Sequence, residues 1–140
     1  IISQILKVKS QMDSGMFKPL QLAAVKALEQ GSGWFTELND EYRRRRVLAG
    51  AIFDMLGVEY DPTSAGMFLW GKVPQDVQAT EEISIGQVLS DRILYDAGVF
   101  ITPGFIFGKN GEDYIRISLC AKPETLREAA ERIRQAGINR

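Results

Sequence analysis

The 140-residue chain contains no histidine. That absence removes the imidazole acid-base catalyst, any histidine-activated nucleophile and the commonest metal ligand, so chemistry here must rest on other groups. Cysteine occurs once, at Cys120, so neither an intrachain disulfide nor a thiolate metal cluster can form, and no metal site is expected. A reducing, cytoplasmic setting fits. An excess of one charge is also missing: 17 Lys and Arg stand against 18 Asp and Glu. Such a chain offers no broad basic field to a nucleic-acid backbone, and the run Arg43 to Arg46 is only local, so no nucleic-acid partner is expected. No apolar run approaches the roughly 20 residues that cross a bilayer. The opening Ile1-Ile-Ser-Gln-Ile-Leu-Lys7 lacks the basic-then-apolar order of a signal peptide, so no membrane partner is expected either. The chain starts without methionine and reads as a piece of something longer.

What is present is an ordinary globular composition, 45% hydrophobic and 25% charged, enough for one compact core. Ile1, Ile2, Ile5, Leu6 and Val8 predict one or two helical turns, followed by a loop from Lys9 to Gly15. Lys18-Pro19 opens a helix with a stripe of Leu20, Ala24, Ala27 and Leu28, which Gly31-Ser-Gly33 stops. From Trp34 to Leu56 there is no proline and only Gly50 as an interior weak point, which predicts one long helix of about 34 Å that packs only partly on its own domain. Arg43 to Arg46 interrupt its apolar stripe, as a solvated face or a polar partner surface would.

Val58 to Tyr60 predicts a short strand and Met67 to Val73 a buried one. Ser84 with Gln87 has capping-box spacing, Ile83 with Val88 that of a hydrophobic staple, and Gly98 is placed to end the helix between. Val99 to Thr102 is extended, and Lys109-Asn-Gly111 predicts a tight hairpin into an antiparallel strand, Tyr114 to Ser118. Pro123 opens the last helix, with Leu126, Ala129, Ala130 and Ile133 along one side and Gly137 at its end. The order is that of an α+β fold: a small antiparallel or mixed sheet covered by helices, with a long N-terminal connecting helix.

Arg116 stands out within this order. Ile115, Ile117 and Leu119 alternate onto one face of their strand, which leaves Tyr114, Arg116 and Ser118 on the other, free to meet a polar ligand. An edge strand with one solvated face would give the same pattern. Gly104, Gly108 and Gly111 do not have the spacing of a phosphate loop. The paired carboxylates Glu81-Glu82 and Glu112-Asp113 lie at helix or hairpin edges and read as solvated charge, and none of the seven lysines is singled out as a buried, activated amine.

Several ordered segments carry a resemblance. They are Lys9-Ser-Gln-Met-Asp-Ser-Gly-Met-Phe17 running into Gln21-Leu-Ala-Ala24, Leu38-Asn-Asp-Glu-Tyr-Arg43, Ala65-Gly-Met-Phe-Leu-Trp70, Ala97-Gly-Val-Phe-Ile-Thr-Pro-Gly104, Phe107-Gly108 with Gly111, and Tyr114-Ile-Arg-Ile-Ser118. In this order the chain resembles the C-terminal small domain of a fold-type I, pyridoxal-phosphate-dependent aminotransferase of class I/II. The resemblance implies residues 1–33 as an N-terminal arm and helix of the interdomain region, and 34–140 as the small domain with the connecting helix 34–56.

It also implies Arg116 as the residue that binds the α-carboxylate of an amino-acid substrate, with Pro103, Gly104 and Phe105 shaping the pocket and Ser14 near the cofactor of a partner subunit. Pyridoxal phosphate, amino-acid and 2-oxo-acid substrates and a homodimer are expected for the whole enzyme. The cofactor lysine and the large domain are implied to precede this segment, which by itself is expected to be inactive and to hold no cofactor. Two alternatives remain open: a pyridoxal-phosphate lyase or decarboxylase of the same fold, and a non-catalytic module that binds an amino acid or a protein.

Overall fold

The structure is a computed structural model, and it describes residues 1–12, 15–80 and 82–138. The chain divides into two compact units, Ile1–Leu38 and Asn39–Arg140. In the first unit, α1 spans Ile2–Met12 and α2 spans Lys18–Leu28, and neither buries a residue. The loop expected from Lys9 is helical as far as Met12. Lys9, Ser10 and Gln11 carry no helix breaker, so once a turn has nucleated each further residue adds a hydrogen bond at little cost. Pro19 sits in the first turn of α2, where its missing N–H is no loss.

Helix α3, Ser32–Leu56, is continuous over 25 residues and crosses the boundary between the units. Its buried residues, Ala49, Gly50, Ile52, Phe53 and Leu56, all lie in its last turns. The four arginines before them divide in two. Arg43 and Arg44 are exposed and pair with Asp40 and Glu41 one turn back. Arg45 and Arg46 are half-buried and tie the helix to distant backbone: Arg45 Nη1 donates to the Leu119 carbonyl at 3.1 Å, and Arg46 Nη2 to the Gly66 carbonyl at 3.0 Å. The guanidiniums of Arg44 and Arg45 hold the Glu41 carboxyl below its ordinary value. Arg45→Met keeps much of the side-chain volume and removes the donors, leaving the strand-end carbonyl without its charged partner. It is expected to destabilise the fold by about 1–2 kcal/mol, read as a lower urea midpoint with an unchanged slope.

The second unit is a four-stranded sheet in the order β1-β2-β4-β3, with all pairs antiparallel. The strands are β1 (Glu59–Tyr60), β2 (Phe68–Lys72), β3 (Thr102–Pro103) and β4 (Tyr114–Ser118). Helix α4, Ile85–Ala97, starts where Ser84 Oγ accepts from the Gln87 N–H and ends at Gly98, which is left-handed at φ 64°. Helix α5, Pro123–Gln135, begins at its proline. One sheet face, carrying Leu69, Ile115 and Ile117, packs into a core with Phe53 of α3, Ile93 of α4 and Ile133 of α5.

The other face is only partly covered. Phe68, Trp70 and Lys72 point out of β2 in alternation with buried Leu69, Gly71 and Val73, so this strand is buried on one side and not on both. An antiparallel sheet with helices on a single side gives that alternation. Among the described residues no helix is long and apolar enough to cross a membrane.

The tight hairpin expected at Asn110-Gly111 is absent. Two 3-10 turns, Gly104–Phe107 and Lys109–Gly111, connect β3 to β4 instead. A two-residue type I′ turn needs positive φ at both central residues, and neither Asn110 nor Gly111 has it. Here the glycine serves close approach. A Cβ on Gly111 would enter the contact shell of the Gly104 carbonyl, and one on Gly104 that of the Gly111 carbonyl, so the two turns lie backbone on backbone.

Candidate functional site

β4 is an interior strand of the sheet, which disposes of the edge-strand reading of Arg116. In register, Arg116 lies between Trp70 of β2 and Thr102 of β3. Cross-strand partners share a face, so Arg116 belongs with Phe68, Trp70 and Tyr114 on the side away from the core.

The guanidinium is flanked by rings. Its Cζ lies 4.1 Å from the centroid of Phe68 and 4.1 Å from that of Phe107. Phe107 in turn meets Trp70 edge-on at 5.7 Å between centroids, and Trp70 stacks on Tyr114 at 5.4 Å. Arg116 Nε is buried and has no hydrogen-bond partner among the described residues. A buried charged donor without an acceptor costs on the order of 1–3 kcal/mol, and an anion in the plane of the guanidinium relieves that cost. The acceptor that matches the planar fork is a carboxylate or phosphate, taken through two parallel N–H···O bonds.

The other residues singled out in the sequence are placed as follows. Pro103 is buried opposite Ile115, and Gly104 is buried where a Cβ would meet the Trp70 ring at 3.0 Å. Phe105 is half-exposed and lines a separate hollow with Thr80, Ser84 and Glu112. The ring of that loop set against the guanidinium is Phe107, two residues further on. Ser14 lies outside the described residues. A cavity of about 490 Å³ between the Gly98–Thr102 segment and α5 includes Arg116 in its lining but neither Phe68 nor Phe107, so it is not the space those two rings enclose.

Sequence reasoning placed Tyr114 on the face of Arg116, but it did not assign Phe68, Trp70 or Phe107 to the site. The alternation of Phe68 and Trp70 along β2 is the signal that finds two of them once the strand is taken as one-sided.

A cofactor held as pyridoxal phosphate is, through an imine to lysine, needs a lysine in a desolvated pocket. All seven lysines of this chain are exposed, so its residues do not fit that attachment. Among the described residues no group of three or more acidic or cysteine side chains is placed to hold a metal.

The model of the family described as aminotransferase class I and II matches residues 1–133. The LL-diaminopimelate aminotransferase of Oleidesulfovibrio alaskensis is 36% identical over 133 residues, which are 95% of this chain and 32% of that protein. The putative aminotransferase AatC of Rhizobium meliloti is 33% identical over 96% of this chain and 32% of its own length. Among solved structures, the probable N-succinyldiaminopimelate aminotransferase of Thermus thermophilus superposes with a TM-score of 0.75 at 28% identity, covering 96% of this chain and 34% of that one. Substrate-bound BacF of Bacillus subtilis gives a TM-score of 0.71 at 30% identity, covering 96% and 33%. The chain thus spans about a third of the length of these relatives. With a match that runs from Ile1 into α5 and an α+β fold shared with solved members, the chain belongs to the aminotransferase class I and II family.

Proposed function

We propose that this chain is the C-terminal, substrate-recognising part of a pyridoxal-phosphate-dependent aminotransferase, with residues 1–33 in the interdomain region and 34–140 as the small domain. The observation that carries the reading is the unpartnered, buried Nε of Arg116 on a ring-lined sheet face. Arg116 binds the α-carboxylate of an amino acid and of the matching 2-oxo acid, because both keep that group while the amino nitrogen moves. Two substrates then use one clamp. Pyridoxal phosphate, bound by residues outside this chain, supplies the electron sink.

Pro103 and Gly104 set the path of the chain beside the clamp, and the half-exposed rings of Phe68, Trp70 and Phe107 form an apolar wall that excludes water from the carboxylate. The α1 and α2 segment leaves Ile2, Leu6, Leu20 and Leu28 exposed, an apolar surface that suits cover by the rest of a homodimeric enzyme. Exposed Cys120 as a free thiol suits a cytoplasmic location.

In the full-length protein, amino-acid consumption is expected to require an added 2-oxo acid and to match new amino acid one for one. Ammonia or carbon dioxide released at the same rate without an acceptor would make it a lyase or decarboxylase instead.

The isolated chain is expected to react with pyridoxal phosphate only slowly and at many lysines, since all of them are exposed. A stoichiometric visible-absorbing adduct, lost on changing one lysine, would contradict the assignment of the cofactor lysine to another part of the enzyme.

A further inference from the structure

We infer that Phe107 is a positioning residue of the carboxylate site: it fixes the Arg116 guanidinium and is not there to stabilise the fold. The inference rests on the reading of Arg116 as the carboxylate clamp. Phe107 is 50% exposed, so it brings little apolar burial to the core. Its ring is nevertheless held on two sides, with the Arg116 Cζ at 4.1 Å and the Trp70 ring at 5.7 Å.

Trp70 is itself fixed, since it is paired in register with Arg116 and stacked on Tyr114 two residues along the same strand. Arg116, Phe107, Trp70 and Tyr114 form a chain of contacts that begins and ends on β4. Phe107 is the member of that chain that lies on no strand. It ends a 3-10 turn, and the next residue, Gly108, takes φ 116° and ψ 170°, a conformation open in practice only to glycine. That backbone turns away directly after the ring, with no space requirement of its own, because nothing lies within 4 Å of a Cβ at Gly108.

A guanidinium on a flexible stem loses rotamer freedom on binding an anion. A ring already set against it removes part of that loss and keeps water from competing for the fork. Phe68, on the rigid β2, is the fixed wall, and Phe107 is the wall supplied by the loop.

The test is steady-state kinetics on the full-length holoenzyme for Phe107→Ala, Phe107→Tyr and Arg116→Lys. Phe107→Ala is expected to raise KM for both the amino acid and the 2-oxo acid by about 5- to 30-fold, with kcat within about twofold and the melting temperature nearly unmoved. Phe107→Tyr, which keeps the ring face, restores KM. If Arg116→Lys weakens both substrates but Phe107→Ala changes neither KM, the clamp stands and the role of Phe107 is wrong. A fall in melting temperature with both KM values unchanged makes Phe107 structural and likewise overturns the inference. If Arg116→Lys changes nothing, the clamp reading fails and this inference falls with it.

Discussion

In the full-length enzyme, Arg116→Lys is expected to reduce kcat/KM for amino acids by about 30- to 1000-fold, about 2–4 kcal/mol of transition-state binding. Lysine keeps the charge and loses the fork. Charge-assisted hydrogen bonds are worth roughly 1.5–3 kcal/mol each, and an ammonium on a shorter, unplanar head retains part of one. It also gives up the planar contact with the rings of Phe68 and Phe107. Stability should change little, because the native Nε already lacks a partner and no internal hydrogen bond of that group is lost. An unchanged kcat/KM with a lowered melting temperature would make Arg116 a structural residue.

Gly111→Ala is expected to have the largest effect on the fold, about 2–3 kcal/mol of destabilisation. The new methyl meets the carbonyl of Gly104, and every atom it meets is backbone, so no side chain can swing aside. The two 3-10 turns must separate. Since Gly104 opens the turn that carries Phe107, substrate KM should rise along with the loss of stability. Gly33→Ala is the control: it lies in α3 with nothing within 4 Å of its Cβ, and removing backbone freedom there should stabilise by up to about 1 kcal/mol. Equal urea midpoints for Gly111→Ala and the unchanged chain would show that the turns do not depend on this contact.

The parts of the fold legible in the sequence are those set by local chemistry. Ser84 caps α4, Gly98 ends it, Pro123 opens α5, and the alternation of Ile115, Ile117 and Leu119 gives β4 its core face and leaves Arg116 on the other side. Each depends on residues within a few positions. The parts not legible depend on what lies across the fold. Asn110-Gly111 has the composition of a hairpin turn, but the approach of Gly104 determines its conformation. Met67 to Val73 reads as a buried strand, and only the one-sided helix layer shows that Phe68 and Trp70 stay outside the core. Phe105 and Phe107 are equivalent in composition, and the path of the 3-10 turn sends one to the Ser84 hollow and the other to Arg116. Arg45 likewise reads as part of a charged run, whereas its donors close the end of β4.

The most direct measurement of the central claim compares an amino acid with its carboxamide in the full-length enzyme, before and after Arg116→Met. The amide keeps the amino group and the side chain but loses the negative charge and carries an NH2 donor in place of one acceptor oxygen, so the difference between its disadvantage in the two enzymes isolates the interaction of the carboxylate with Arg116. If Arg116 is the clamp, the unchanged enzyme prefers the acid by about two orders of magnitude or more in kcat/KM, and Arg116→Met abolishes most of that preference by lowering the acid's value and leaving the amide's nearly constant. A preference of the same size in both enzymes would place the carboxylate elsewhere and contradict the account.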